Sequence, residues 1–160
     1  MRLHIIAFGK QKNHPSYEFT QTYFNRLPFS GTIVELEGSR SSNSRGISEE
    51  GEKVNKFLSL KAVKGYRLIV MDKYGIDTSS EQLAELIKTW RNKAIPACYF
   101  AVGGANGHSE KLISSAHCCI RFGSATWPHL LFRAMLAEQL YRAEMILKNH
   151  PYLLSFITLI

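Results

Sequence analysis

Apolar positions along the chain fall into short β-type runs, and between those runs apolar residues recur at helical spacing. Runs at 3–8, 32–36, 67–71, 97–102 and 117–122 predict five strands. Helical spacing predicts helices over 16–27, 48–60, from Ser79 onward and over 129–149, with a shorter one after Ser109. In the third of these, Ser79 and Gln82 form a capping box, and Leu83, Leu86, Ile87 and Trp90 repeat at i, i+3, i+4 and i+7. In the last, Leu131, Met135, Leu140, Ile146 and Leu147 point to a core, Arg133, Arg142 and Lys148 point elsewhere, and Pro151 ends the helix. Strand alternates with helix throughout, so the expected fold is a mostly parallel α/β sheet covered on both faces. No repeat or linker divides residues 1–160 into more than one domain.

Such a sheet binds ligands outside the carboxyl ends of its strands. Three segments lie there: 71–75, where Asp72 opens a turn with Gly75; 103–107, with three glycines in five residues; and 122–128. Glycine lets backbone approach a ligand closely and supplies positive φ, although an ordinary strand-to-helix turn would use it too. The spacing is not GxGxxG and no GxxxxGK[ST] occurs, so dinucleotide and phosphate-loop readings lose support. The polar run 38–48, with Arg40 and Arg45 among serines and glycines, predicts a mobile loop.

Charge narrows the partners. Twenty Lys plus Arg against thirteen Asp plus Glu give a formal charge of +7, which favours a polyanion such as RNA, DNA or an anionic membrane. Solvated surface charge is the plain alternative. Cys98, Cys118 and Cys119 lie in apolar runs, which indicates buried thiols rather than a disulfide framework or a zinc site. No apolar stretch reaches the ~20 residues that cross a bilayer, and residues 1–30 lack a signal-peptide pattern, so a cytoplasmic protein without membrane partners is expected.

Three blocks then occur in order: Val102-Gly103-Gly104-Ala105-Asn106-Gly107, Phe122-Gly123-Ser124-Ala125-Thr126-Trp127-Pro128-His129, and Leu136-Ala137-Glu138-Gln139-Leu140-Tyr141-Arg142-Ala143. With Phe8-Gly9-Lys10, Glu50-Gly51-Glu52 and His150-Pro151-Tyr152 they closely resemble the RlmH family over essentially the whole chain. That family comprises SPOUT-class enzymes that methylate N3 of a pseudouridine in large-subunit ribosomal RNA. The resemblance implies a deep C-terminal trefoil knot, a homodimer, S-adenosylmethionine as cofactor without a metal, and ribosomal RNA or the ribosome rather than DNA as partner. It also implies a cofactor site built from Met71, Gly103, Phe122, Gly123, Ser124, Ala125, Thr126 and Trp127. Met71 stands where the family usually has leucine, a mild change for a flexible apolar side chain.

Methyl transfer from a sulfonium depends on alignment, so positioning can supply most of the acceleration. The acceptor imide must lose a proton, and nearby cations favour the resulting anion. His129, Arg133, Arg142 and Tyr152 are the candidate catalytic residues. His129 follows Pro128 at a helix N-terminus, where the dipole favours a neutral imidazole able to accept a proton. A helix cap for His129 and solvated charges for the arginines are the plainer readings, and Glu138 is placed to orient one arginine. Lys10, Lys12, Arg40 and Arg45 are candidates for RNA phosphate contacts, whereas His4, His14, His108 and His117 are assigned no chemistry.

The chain's ending departs from the family. Its members usually end shortly after His-Pro-Tyr-His and a basic residue, whereas here Tyr152 precedes Leu153-Leu154-Ser155-Phe156-Ile157-Thr158-Leu159-Ile160. An apolar ending predicts reduced RNA methylation. The rival readings are an RNA-binding member without catalysis, which would incorporate no methyl, and an unrelated flavodoxin-like or nucleotide-binding domain, which flavin absorbance would reveal.

Overall fold

The computed structural model describes residues 1–41, 43–104 and 106–150. Five strands, β1 (Arg2–Phe8), β2 (Ile33–Leu36), β3 (Arg67–Asp77), β4 (Ala97–Val102) and β5 (Cys118–Arg121), alternate with α1 (Tyr17–Asn25), α2 (Ser44–Lys61), α3 (Ser80–Asn92), α4 (Glu110–Ser115) and α5 (His129–Leu147). The strands form one sheet in the order β2-β1-β4-β3-β5, every pairing parallel. This is the α/β architecture expected from the alternation of elements.

Period-two side-chain alternation divides the core. Leu3, Ile5, Ala7, Ile69, Cys98 and Phe100 face one side and pack with Phe24 of α1, Leu83, Ile87 and Trp90 of α3, and Leu136 and Leu140 of α5. Ile6, Phe8, Leu68, Val70, Tyr99 and Ala101 face the other and pack with Val54 and Leu58 of α2 and Leu112 of α4. A strand buried on both faces reads as a continuous apolar run, which is why all six residues of β4 are buried.

Helix ends follow local chemistry. The Ser79–Gln82 capping box closes the start of α3 as expected. Asn43 caps α2 by accepting from the backbone N–H groups of Arg45 and Gly46. That helix therefore begins four residues before the predicted start at Ser48, and residues 44–48 of the expected mobile loop are its first turn. The cause is an Asx cap concealed within a serine-rich run.

Two further expectations are corrected. The turn at Asp72 and Gly75 is absent: β3 continues to Asp77, and a register shift between Met71 and Ile76 absorbs the intervening residues as a bulge beside β5. Gly75 is needed because a Cβ there would lie 2.6 Å from the Ile120 backbone. In α5, Leu131 is exposed, Met135 half-buried and Arg133 fully buried, the reverse of the apolar pattern for Leu131 and Arg133. Small residues Ala134, Ala137 and Ala143 form the inward face, so α5 seats closely between α1 and α3. The Arg133 guanidinium is drawn inside by backbone carbonyls at the end of β1.

Gly75→Ala should destabilise the fold by about 2 kcal/mol, because its methyl meets backbone that cannot swing aside. A lowered denaturant midpoint checks this, and an unchanged midpoint would show that the bulge relaxes freely.

Candidate active site

Strand register brings three of the expected segments together. Met71 is the Cα partner of Val102 on one side and of Ile120 on the other. Gly103 and Phe122 follow those partners closely in sequence, so they leave the sheet beside Met71, which stays within β3 just before its bulge. Met71 is buried against the core, Phe122 is half-buried, and Gly123, Ser124, Ala125, Thr126 and Trp127 are exposed.

The glycines suit a ligand-holding edge. A Cβ on Gly103 would lie 3.1 Å from the Gly107 backbone, and Gly107 itself has positive φ. Gly123 has φ 77°, its N–H donates to Asp77 Oδ1 at 2.8 Å, and space lies open where its Cβ would stand. An open loop of exposed backbone next to apolar Met71 and Phe122 fits a molecule with an adenine face and polar edges. Glu50 was missed as a site residue. Its Oε1 accepts from the Ser39 N–H, and its Oε2 lies 2.7 Å from where a Cβ of Gly104 would be. The only signal in the sequence was its place in the Glu-Gly-Glu block.

The 122–128 segment runs directly into α5, whose first residue is His129. His129 is half-buried and its pKa is lowered, first by burial and then by the Arg133 cation. Glu50 opposes that shift, and the charge of His14 adds to it. A neutral imidazole at this position can accept a proton near neutral pH.

Arg133 is oriented away from solvent. Its Nη1 donates to the Gly9 carbonyl at 3.0 Å and to Glu35 Oε1 at 3.1 Å, and its Nη2 donates to the Phe8 carbonyl. Its pKa is lowered by burial and held up by Glu35. Arg142 donates to Glu138 Oε1 from Nε at 2.9 Å and from Nη2 at 2.6 Å. It lies about 20 Å along the α5 axis from His129, at 1.5 Å per residue. Within one chain the structure thus gathers His129 and the buried Arg133 near the strand ends and leaves Arg142 apart. Tyr152 and the apolar ending lie outside the described residues.

Residues 1–152 match the family model described as predicted SPOUT methyltransferase. The chain belongs to the RlmH family of SPOUT methyltransferases. It is 37% identical over 161 residues to the ribosomal RNA large subunit methyltransferase H of Rhodopseudomonas palustris (strain BisB5), covering 95% of this chain and 98% of that one. It is 38% identical over 152 residues to the enzyme of the same name from Erythrobacter litoralis (strain HTCC2594), covering 95% and 97%. The fold is similar to that of a probable methyltransferase from Bordetella pertussis Tohama I, with TM-score 0.57, 8% identity, and coverage of 89% of this chain and 95% of the other. It is also similar to the SpoU methyltransferase AviRb from Streptomyces viridochromogenes in complex with AdoMet, with TM-score 0.50, 9% identity, and coverage of 91% and 61%.

In this RlmH-family chain a cleft of about 1160 Å³ lies beside the strand-end loops. Phe19 and Tyr23 of α1, residues 77–82, and Leu131, Met135 and Glu138 of α5 line it, and it meets the 122–128 segment at Phe122 and Gly123.

His4, His108, His117 and His129 all have pKa values below the ordinary 6.5, burial being the first cause for each. Below that pH the unfolded chain binds protons that the native chain resists. The histidines therefore leave stability undiminished above 6.5 and reduce it as pH falls from 6.5 towards their folded values. Denaturation at about pH 7.5 and about pH 5.5 should show the lower midpoint at the lower pH. Equal midpoints would contradict these environments.

Proposed function

We propose that this chain transfers a methyl group from S-adenosylmethionine to N3 of a pseudouridine in large-subunit ribosomal RNA on assembled particles. The alignment of Met71, Gly103 and Phe122 at the carboxyl edge carries the reading, together with the names of the relatives. Met71, Gly103 and residues 122–127 would hold the cofactor, which supplies an electrophilic methyl on a positive sulfur. The N3 lone pair forms the new bond to carbon as the carbon–sulfur bond breaks, leaving S-adenosylhomocysteine. The N3 proton goes to His129, whose imidazole is neutral because burial and Arg133 disfavour its cation. Arg133 acts on the site through His129 and the end of β1, and the exposed loop amides are available to the anionic acceptor.

The proposal includes a homodimer and the trefoil knot. Exposed Phe19 and Leu131 beside the α1–α5 cleft support an apolar interface. A second protomer is also how Arg142, distant from His129 in its own chain, would reach an acceptor. Tyr152 retains a proposed role near the acceptor. The apolar ending favours a second reading, an RNA-binding member without catalysis.

Labelled S-adenosylmethionine incubated with ribosomes lacking the modification decides between them. The proposal expects label on N3 of one pseudouridine, and particle binding without label would support the second reading. Gly123→Val, strained by positive φ, should weaken cofactor binding about tenfold in calorimetry, since left-handed backbone costs a branched residue about 1–2 kcal/mol or more. Unchanged affinity would remove the 122–127 segment from the cofactor site.

A further inference from the structure

The loop from Gly9 to Ser16 is tied to the start of α5 by a buried polar bracket centred on Gln11. Gln11 is only 1% exposed. Its Nε2 reaches Ser16 Oγ at 3.0 Å, Thr20 Oγ1 at 2.8 Å and the Leu130 carbonyl at 2.8 Å, while its backbone N–H donates to Glu35 Oε1 at 2.7 Å. Ser16 Oγ also donates to the Leu130 carbonyl. The same Glu35 oxygen accepts from Arg133, which holds the Gly9 carbonyl. One network therefore joins the β1–α1 loop, the end of β2 and the first turn of α5, immediately after His129.

The residues on either side of Gln11 have the opposite environment. Lys10 and Lys12 are exposed, and among the described residues neither has an ion-pair partner. Flexible cations are normally free to wander. Here the backbone that carries them is fixed by its buried neighbour, on the loop that abuts the proposed proton acceptor.

We propose that Lys10 and Lys12 form a binding site for the phosphates flanking the target nucleotide, and that Gln11 is the positioning residue that holds them in register with His129. Phosphate contacts of this kind fix the placement of a nucleic acid without reading its sequence. The inference rests on the RNA substrate of the proposed function and adds where the backbone is gripped.

The test measures binding of large ribosomal subunits lacking the modification, by cosedimentation across a salt series, with cofactor affinity measured separately by calorimetry. The double variant Lys10→Gln/Lys12→Gln should bind about tenfold more weakly and lower the salt slope by about two, one for each phosphate that is no longer neutralised. Gln11→Met leaves both lysines and the net charge intact, yet it should also weaken particle binding, about fivefold, by releasing the loop. Cofactor affinity should stay within about twofold of wild type in both. A lysine variant with unchanged affinity and salt slope would overturn the proposal. So would a folded Gln11→Met protein that binds particles like wild type, since the bracket would then be structural only. Lysine-dependent particle binding without methyl transfer would sustain this inference while defeating the proposed reaction.

Discussion

Parallel pairing of β1, β4 and β3 in the middle of the sheet is the constraint on which the rest of the structure depends. Parallel strands need crossovers, and crossovers of one hand put α1 and α3 on one face and α2 and α4 on the other. Both faces are then dry where the helices cover them, so the paired middles of the central strands are almost wholly apolar and their backbone groups pair with one another. A further consequence is chemical. All strand carboxyl ends emerge on one edge, and the register sets Met71 beside Val102 and Ile120. The site is assembled by the same hydrogen bonds that hold the sheet.

The last helix joins core to chemistry. Alanines on its inward face let it pack closely between α1 and α3, and two buried charges accompany it, Arg133 with Glu35 and Glu144 with Arg91. Such pairs add little net stability, because desolvation offsets much of their attraction, but removing one partner strands the other. Their effect is to specify how α5 sits. Since α5 begins where the 122–128 segment ends, the seating of Arg133 also fixes His129 and the loop before it.

Much of this was legible in the sequence for physical reasons. Strands buried on both faces read as apolar runs, so β1 and β4 were found to within a residue at each end, and the edge strand β5 was found equally well from its short Cys-Cys-Ile run. The α3 capping box was explicit in Ser79 and Gln82. Errors arose where a local signal had two meanings. Gly75 reads as a turn, but it is the residue that lets a bulged strand lie against Ile120. Asn43 is lost among serines until its cap is seen. Arg133 reads as surface because arginine usually is, and only the carbonyls of Phe8 and Gly9 explain its burial. For the proposed site, Gly103 and the 122–127 segment lie in the motif blocks, and Met71 was named through the family resemblance and its place at the end of an apolar run. Glu50 and Gln11 act through contacts between elements distant in sequence, and no periodicity marks them.

Our central claim is that Met71 of β3 and the segments leaving β4 and β5 beside it, rather than the cleft between α1 and α5, hold the cofactor. Backbone amide shifts of the ¹⁵N-labelled protein, recorded as S-adenosylmethionine is added, test it most directly. We expect the largest changes at Met71, Gly103 and residues 122–127, with smaller ones at Phe19, Tyr23 and Leu131. Changes concentrated on Phe19, Tyr23, Leu131 and Met135, with the strand ends undisturbed, would contradict it.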